Sequence, residues 1–299
     1  MSESPSVPRP AAPCDSVEEV SHTLHGLRFS LLGAGRVGTS MAHWLVARGA
    51  RAVVVAGRRH GAGLAKDLGA EFRAPQDLES SGQDLLLLTV ADGALDAMAQ
   101  GLSKRPQASV VLHAAGSLDA EVLAPLRRRG SSVGSLHPLL AFPTVRPDLE
   151  GLRGAFFAWD GDAAARSLAS RLVDAWGGEG RWLRGQDRVL YHLAASWAAG
   201  GVVTLLAAGA DVAESLGLPP AVRRGYFALA MDALRQAEVA GHPTQAITGP
   251  AARGDEATLE RHRAALTEAF PDLRPLFDTL TEATQNAVST RRSSPRRDE

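Results

Sequence analysis

Five polar side chains have the types and the spacing to move a proton or to hold an anion. They are Ser117, His137, His192, Ser196 and Arg253. A histidine exchanges its proton near neutral pH, which suits it to protonating a substrate. His192 and Ser196 are four residues apart, so a helix would place both on one face. We therefore interpret Ser117, His137 and His192 as residues that orient and protonate a reacting group, with Ser196 beside the substrate.

Arg253 lies in the segment TGPAARGD at residues 248–255, where a glycine-rich turn precedes a helix. Backbone amides and a guanidinium together can bind an anion, and we favour a substrate carboxylate on Arg253. Two alternatives stay open here: a capping turn with Asp255 at the helix start, or a pair between Arg253 and an acid across a dimer. Ser117 and His137 could equally be strand-end residues satisfied by local backbone, and His192 a core histidine.

A glycine turn between two strands indicates what lies next to these residues. The apolar strand LRFSLL leads into GAGRVG at residues 33–38, and an amphipathic helix and a second strand, RAVVVA, follow. Strand, glycine turn, helix and strand in this order are typical of a dinucleotide-binding unit, whereas the glycines alone are a weak signal.

Each glycine of the turn has a separate role. Gly33 permits the tight turn, Gly35 lets a pyrophosphate approach the backbone, and Gly38 lets the helix pack on the sheet. The amides near Arg36 and Val37 then face the phosphates at the helix N-terminus. An ordinary glycine-rich strand-to-helix turn is the alternative.

The end of the second strand predicts which dinucleotide binds. An NAD site usually has Asp or Glu about 20 residues after the glycines, but Gly57, Arg58 and Arg59 stand there. Guanidinium groups bind a 2′-phosphate through forked hydrogen bonds, so the sequence favours NADP(H). The alternative is two solvated arginines.

Alternating strands and helices continue to about residue 184 and predict an α/β fold, a doubly wound parallel sheet. Ligands bind at the carboxyl ends of such strands. Thr89 and Val90 end one strand and are expected beside the cofactor, Ser117 follows the next strand, and His137-Pro138 is expected to be a turn.

The remainder of the chain is predicted to be all-helical. One helix extends to about Leu216, and its apolar stretch Leu190–Ala210 is interpreted as a buried helix and not a membrane span, because it is rich in Ala and Gly. Gly200 and Gly201 within it predict close approach of the cofactor or of another helix, from a second subunit.

Composition excludes several classes of protein. The chain has 299 residues, 45% of them hydrophobic, and a formal net charge of −1, which gives no reason to expect nucleic acid or membrane as a partner. Cys14 is the single cysteine, so we expect no cysteine metal site and a cytoplasmic setting. The expected domains are a disordered tail at 1–26, a cofactor domain at 27–184, a helical domain at 185–290 and a second tail at 291–299.

The chain resembles oxidoreductases that join a Rossmann-like domain to the domain of unknown function DUF2520. The resemblance covers Leu27 to about Val288 and rests on five segments: GAGRVG, HAAGS at 113–117, SLHPLLAF at 135–142, YHLAA at 191–195 and TGPAARGD. More distantly, the layout is similar to pyrroline-5-carboxylate reductase, prephenate dehydrogenase, ketopantoate reductase and β-hydroxyacid dehydrogenases.

The resemblance implies an NADP-dependent reductase and an intertwined dimer formed through the C-terminal helices. Ser117 and His137 match the spacing of Ser and His-Pro in prephenate dehydrogenases. His192 and Ser196 stand where related reductases carry Lys and Asn, and Gly200 stands where DUF2520 relatives usually carry Asn. We expect hydride transfer to a small carboxylate-bearing carbonyl or imine, such as a 2-oxo acid. The alternative is a non-catalytic NADP(H)-binding sensor.

Overall fold

The computed structural model describes residues 23–293, which form two compact units that meet in sequence between Ala195 and Ser196. Most of the two predicted tails, including Cys14, falls outside the described residues. Both predicted tails include residues that belong to the folded part of the chain. Leu24 is fully buried and its amide donates to the carbonyl oxygen of Arg48 (2.7 Å). The last helix continues through Ser293.

The first unit is built on one eight-stranded sheet. Its strands are β1 (Arg28–Leu32), β2 (Arg51–Ala56), β3 (Glu71–Arg73), β4 (Leu85–Leu88), β5 (Val110–His113), β6 (Ser132–Pro138), β7 (Phe156–Gly161) and β8 (Glu179–Trp182). They lie in the order β3-β2-β1-β4-β5-β6-β7-β8, with β1 to β6 parallel. The predicted α/β fold with a doubly wound sheet is confirmed.

Helices cover both faces of this sheet. They are α1 (Arg36–Ala47), α2 (Gly61–Asp67), α3 (Leu95–Leu102), α4 (Ala124–Arg127) and α5 (Ala163–Trp176). Alternate residues of β4 enter different cores: Leu85 and Leu87 pack with α1 and α5, whereas Leu86 and Leu88 pack with α3 and α4. Burial on both sides explains why this strand is a continuous apolar run.

One predicted turn is wrong. His137 and Pro138 lie inside β6, where they pair with Ala158 and Phe157 of β7. The reason is that β7 runs antiparallel to β6, so its ladder extends the strand past the point where a parallel strand would have ended. His137 is therefore held on a strand and not on a mobile turn.

The second unit is helical, as predicted. The helix α6 (Arg188–Ser196) ends at the boundary and a π-helical turn follows at Trp197–Gly201. The helices of the second unit are α7 (Val202–Ser215), α8 (Ala221–Val239), α9 (Pro250–Arg253), α10 (Glu256–Ala269) and α11 (Arg274–Ser293). The helical run predicted to reach about Leu216 is confirmed, and it contains this π-helical turn. Within the described residues no atom approaches a Cβ built on Gly200 to within 4 Å, so close approach within the chain is not the reason for that glycine.

The prediction that Leu190–Ala210 is buried is wrong for the single chain. Leu190 is 71% exposed, Trp197 68% and Val203 65%, and the apolar side chains of α8 are exposed as well, with Leu229 at 66%. By length and composition alone, the run Gly185–Ser215 could also cross a membrane. Large apolar side chains exposed in this number are typical of an interaction surface.

Candidate functional site

The glycine turn after β1 leaves an opening that a ligand could enter. Gly33 has φ +110°, and a Cβ there would lie 2.7 Å from the carbonyl oxygen of Thr89. A Cβ on Gly38 would overlap the Gly33 carbonyl oxygen and Thr89 Oγ1, so Gly38 is required for packing. A Cβ on Gly35, in contrast, meets nothing within 4 Å. The missing side chain at Gly35 therefore leaves exposed backbone next to open space.

The helix α1 begins at this opening with its amides unsatisfied by any side-chain cap. Its N-cap is Gly35, and no acidic residue lies in its first turn. The Arg36 side chain turns away, since its Nη1 donates to the Pro143 carbonyl oxygen (3.0 Å). The backbone at Arg36 and Val37 is left to bind an anion.

Thr89 connects the turn to the next strand. Its Oγ1 donates to the Gly33 carbonyl oxygen (2.5 Å), and its amide donates to the Leu32 carbonyl oxygen (2.9 Å). Val90 follows, half-buried. Thr89 thus fixes the glycine turn against β4, at the strand end where the sequence predicts it beside the cofactor.

Two exposed arginines follow β2. Arg58 and Arg59 are both exposed, and Arg58 lines a cavity of about 450 Å³. Pro75, Leu78 and Met98 contribute apolar wall to this cavity, and further residues include Lys104 and Arg105. An apolar wall beside cationic groups suits a flat heterocycle that carries a phosphate.

A cluster of one phenol and two imidazole rings joins β6 to α6. Tyr191 and His192, on α6, each present a ring edge-on to His137, with centroid distances of 5.6 Å and 5.7 Å. The Tyr191 hydroxyl oxygen is 3.1 Å from His137 Nδ1. Of the three residues predicted to orient and protonate a reacting group, the structure thus brings His137 and His192 together.

Gly116 makes this cluster possible. A Cβ on Gly116 would overlap His192 Cδ2 and would lie 2.8 Å from His137 Nε2. The two imidazoles therefore pack directly on the backbone of the loop after β5. The sequence places Gly116 and Ser117 together at this strand end, but only Ser117 was given a role there.

Arg188 was also missed. It precedes Tyr191 by three residues and His192 by four, so all three share a helix face, and that spacing could have identified it. Its side chain is fully buried, and its Nη2 donates to the Ala115 carbonyl oxygen (2.8 Å). Its Nε and Nη1 have no hydrogen-bond partner among the described residues.

The surroundings of His137 keep it neutral. Burial, followed by the positive charge of Arg188, lowers the pKa of His137 to about 4. Burial raises the pKa of Tyr191 to about 12, and Arg188 opposes that shift. Near neutral pH, His137 therefore carries one ring proton and Tyr191 keeps its phenol proton.

His113 shapes the loop from beneath. Its Nδ1 accepts a hydrogen bond from the Ala115 amide (3.2 Å), so its Nε2 donates to the Asp119 carbonyl oxygen (3.0 Å). Burial lowers the pKa of His113 to about 4. A neutral His113 thus determines the path of the backbone that supports Gly116.

Of the remaining predicted residues, Ser117 follows Gly116 in the loop after β5, and Ser196 and Arg253 belong to the second unit. Ser117 is half-buried, and its hydroxyl donates to Asp92 Oδ2 at 3.4 Å. Arg253 is exposed and lines a cavity of about 450 Å³ with Gln285 and Ser289. Asp255 caps α10 by accepting from the Thr258 amide (3.1 Å), as one of the two alternatives for this segment required.

Two domain families match the chain. The Rossmann-like domain matches residues 15–138, and DUF2520, a domain of unknown function, matches residues 155–284. The resemblance inferred from the sequence is confirmed. No curated protein shows significant similarity to the chain.

Solved structures share the fold. A Bacteroides fragilis protein provisionally named an NADP oxidoreductase is 22% identical with a TM-score of 0.72, over 89% of this chain and 99% of that one. A reductive aminase from Aspergillus terreus, in complex with NADPH and ethyl-5-oxohexanoate, is 20% identical with a TM-score of 0.60, over 88% and 94%. A 1-pyrroline-5-carboxylate reductase from Streptococcus pyogenes is 15% identical with a TM-score of 0.57, over 87% and 98%.

The burial of His113 predicts an acid-sensitive fold. A folded-state pKa of about 4, below the usual histidine value of 6.5, means that the unfolded chain takes up the proton first, so stability declines as pH falls from about 6.5 toward 4. Each such histidine contributes a slope of about 1.4 kcal/mol per pH unit in that window. His137 contributes in the same window.

We expect His113→Gln to be less stable than the parent at pH 8 and to lose stability less steeply between pH 6.5 and 4. Urea unfolding across this pH range measures the slope. The exposed His60, replaced in His60→Gln, is the matched control and should keep the parent slope. An unchanged slope in His113→Gln would contradict the assignment.

Proposed function

The chain joins a Rossmann-like domain to a DUF2520 domain, and we propose that it is an NADP(H)-dependent oxidoreductase. Its substrate would be a small carboxylate-bearing carbonyl or imine, such as a 2-oxo acid. The observation that carries the proposal is the turn at Gly33–Gly38, which opens onto empty space at the N-terminus of α1. Such a site fits a pyrophosphate.

The choice of NADP(H) over NAD(H) rests on the end of β2. Arg58 and Arg59 stand where a carboxylate would repel a 2′-phosphate, and Arg58 lines a cavity with apolar walls. Structures of similar fold include a pyrroline carboxylate reductase with NADP bound and a reductive aminase with NADPH. Both support the same cofactor here.

The ring cluster would supply the proton chemistry. A bound reduced nicotinamide supplies hydride, and the reacting atom that gains the electron pair must then receive a proton. His137 and His192 are the groups suited to that transfer, because both adjoin Gly116 at the end of β5, the sheet edge where ligands bind. Ser117 in the same loop would orient the reacting group, and we assign Ser196 and Arg253 to the substrate, Arg253 to its carboxylate.

A sensor is the second candidate function. His192 and Ser196 replace the Lys and Asn that related reductases use, and that replacement favours a protein that binds NADP(H) without turning it over. A panel of 2-oxo acids and cyclic imines distinguishes the two. Binding without turnover, with different affinities for oxidised and reduced cofactor, would favour the sensor.

We also propose that two copies of the chain associate through α6, α7 and α8. The exposed apolar side chains on these helices support this dimer, because apolar side chains are costly to leave in water. Apolar surface of this kind is typical of obligate homodimer interfaces. A second copy would cover it and account for the small residues AASWAAGG at 194–201.

The dimer predicts a loss of association when charge enters this surface. Val203→Glu and Leu229→Glu should each shift the mass measured by sedimentation toward that of a monomer, because burying an unpaired carboxylate is unfavourable. Val145→Glu, at a 40% exposed valine of the first unit, should leave the mass unchanged. A monomeric parent protein would contradict the proposal.

The cofactor assignment predicts a charge effect specific to NADPH. Arg58→Asp should weaken NADPH binding about 10- to 100-fold, since a hydrogen bond to a charged group contributes about 1.5–3 kcal/mol. NADH affinity should change little. Isothermal titration with both cofactors measures the ratio.

The matched control is Arg51→Asp, an exposed arginine at the opposite end of the same strand. It makes the same change in net charge away from the cofactor opening. If NADPH and NADH bind the parent equally, or if Arg51→Asp acts like Arg58→Asp, the preference for NADP(H) is wrong.

A further inference from the structure

We propose that Tyr191 and Arg188 hold His137 as a neutral hydrogen-bond donor, so that the site takes a carbonyl in preference to a protonated imine. The proposal rests on the oxidoreductase function above and names its substrate class. It assigns positioning roles to Tyr191 and Arg188, which act through His137. Its basis is the arrangement of donors and charges around the loop after β5.

The Tyr191 hydroxyl determines which ring nitrogen of His137 carries the proton. Its oxygen lies 3.1 Å from Nδ1, and this is the hydrogen bond that the described residues provide for the phenol. A half-buried phenol that did not donate would leave its donor unused, which is unfavourable. When the phenol donates, Nδ1 is the acceptor and the ring proton of neutral His137 is on Nε2.

His137 Nε2 lies beside the loop at the ligand edge of the sheet. Nε2 lies 2.8 Å from the place where a Cβ of Gly116 would be, against the loop that follows β5. This loop is at the carboxyl end of the parallel strands, where ligands of doubly wound sheets bind. His137 therefore offers a donor, not an acceptor, to a group bound there.

Arg188 adds a positive charge that lacks a direct counter-ion. Asp160 and Asp119 are the acids that act on it, together with Tyr191, and no ion pair to it is formed among the described residues. The Asp160 carboxylate is committed elsewhere: it accepts from the Ser135 hydroxyl (2.7 Å) and the Ala120 amide (3.3 Å), and burial raises its pKa.

The charge of Arg188 acts on His137 from below the loop, together with His113 and His192. In a region shielded from water, one positive charge disfavours a second. Protonation of His137, or binding of a cationic ligand, is thus opposed by the same buried guanidinium. Negative charge that develops on a substrate atom is favoured.

A carbonyl suits both the Nε2–H donor of His137 and the positive charge of Arg188, whereas a protonated imine suits neither. A carbonyl oxygen has lone pairs that accept from Nε2–H, whereas a protonated imine nitrogen has a proton, no lone pair and a positive charge. When the carbonyl carbon gains hydride, its π electron pair moves to oxygen. That oxygen takes the Nε2 proton and Nδ1 takes the phenol proton of Tyr191, whose phenolate Arg188 stabilises. Nδ1 then returns its proton to the phenolate and solvent water supplies a proton to Nε2, which restores the starting arrangement.

The first test reads the proton arrangement without turnover. Long-range ¹H–¹⁵N spectra of histidine-labelled full-length protein should show His137 neutral at pH 7 with its proton on Nε2. Tyr191→Phe should remove this preference between the two nitrogens. Arg188→Met should raise the pKa of His137 from about 4 toward its usual value, and Arg188→Lys should restore part of the shift.

Arg184→Met, at an exposed arginine of the same segment, is the matched control. It should change neither the nitrogen of His137 that carries the proton nor the pKa of His137. If Arg188→Met does not fold, Tyr191→Phe and Arg188→Lys still carry the test. A proton on Nδ1 in the parent, or a His137 pKa that is unaffected by both Arg188 variants, would overturn the proposal.

The second test compares kcat/KM with NADPH for a 2-oxo acid and for a cyclic iminium acid of equal carbon number. The parent should prefer the oxo acid at least tenfold, and Arg188→Lys should retain that preference better than Arg188→Met. Equal use of both compounds would overturn the substrate preference. If neither compound is turned over while the spectra are as expected, the oxidoreductase function fails and the proton arrangement stands.

Discussion

The hydrogen bond from the buried Arg188 guanidinium to the Ala115 carbonyl oxygen links the start of α6 to the loop after β5. Three other features depend on where that loop lies: the packing of His137 and His192 on Gly116, the contact of Tyr191 with His137, and the support of the loop by His113. A buried cation costs several kcal/mol to desolvate, and this one lies where its charge acts on His137. We infer that the use is electrostatic control of His137.

The sequence predicted the first half of the fold well because local rules dominate there. Continuous apolar strands such as Leu85–Leu88 have no other environment than a sheet covered on both faces. The structural roles of the glycines were equally predictable: Gly33 has a positive φ, and Gly38 cannot accommodate a Cβ. The direction of β7 could not be predicted, because its antiparallel pairing with β6 depends on contacts between residues distant in sequence.

The site was predicted in part for the same reason. His137 and His192 are chemically conspicuous, and the structure brings them together. Arg188 and Gly116 matter through three-dimensional contacts that their residue types do not reveal. Leu190–Ala210 shows a different limit: the apolar helix was predicted to be buried, and the single chain leaves it exposed. Hydrophobicity predicts burial but does not say which molecule provides it.

One measurement tests the central claim that this fold passes hydride to a carbonyl carbon. The protein is mixed with NADPH deuterated at nicotinamide C4 and with a 2-oxo acid, and the product is analysed by mass spectrometry and NMR. We predict deuterium on the carbinol carbon of the 2-hydroxy acid formed. Tight binding of NADPH with all deuterium retained on the cofactor, across a panel of 2-oxo acids, would contradict the claim.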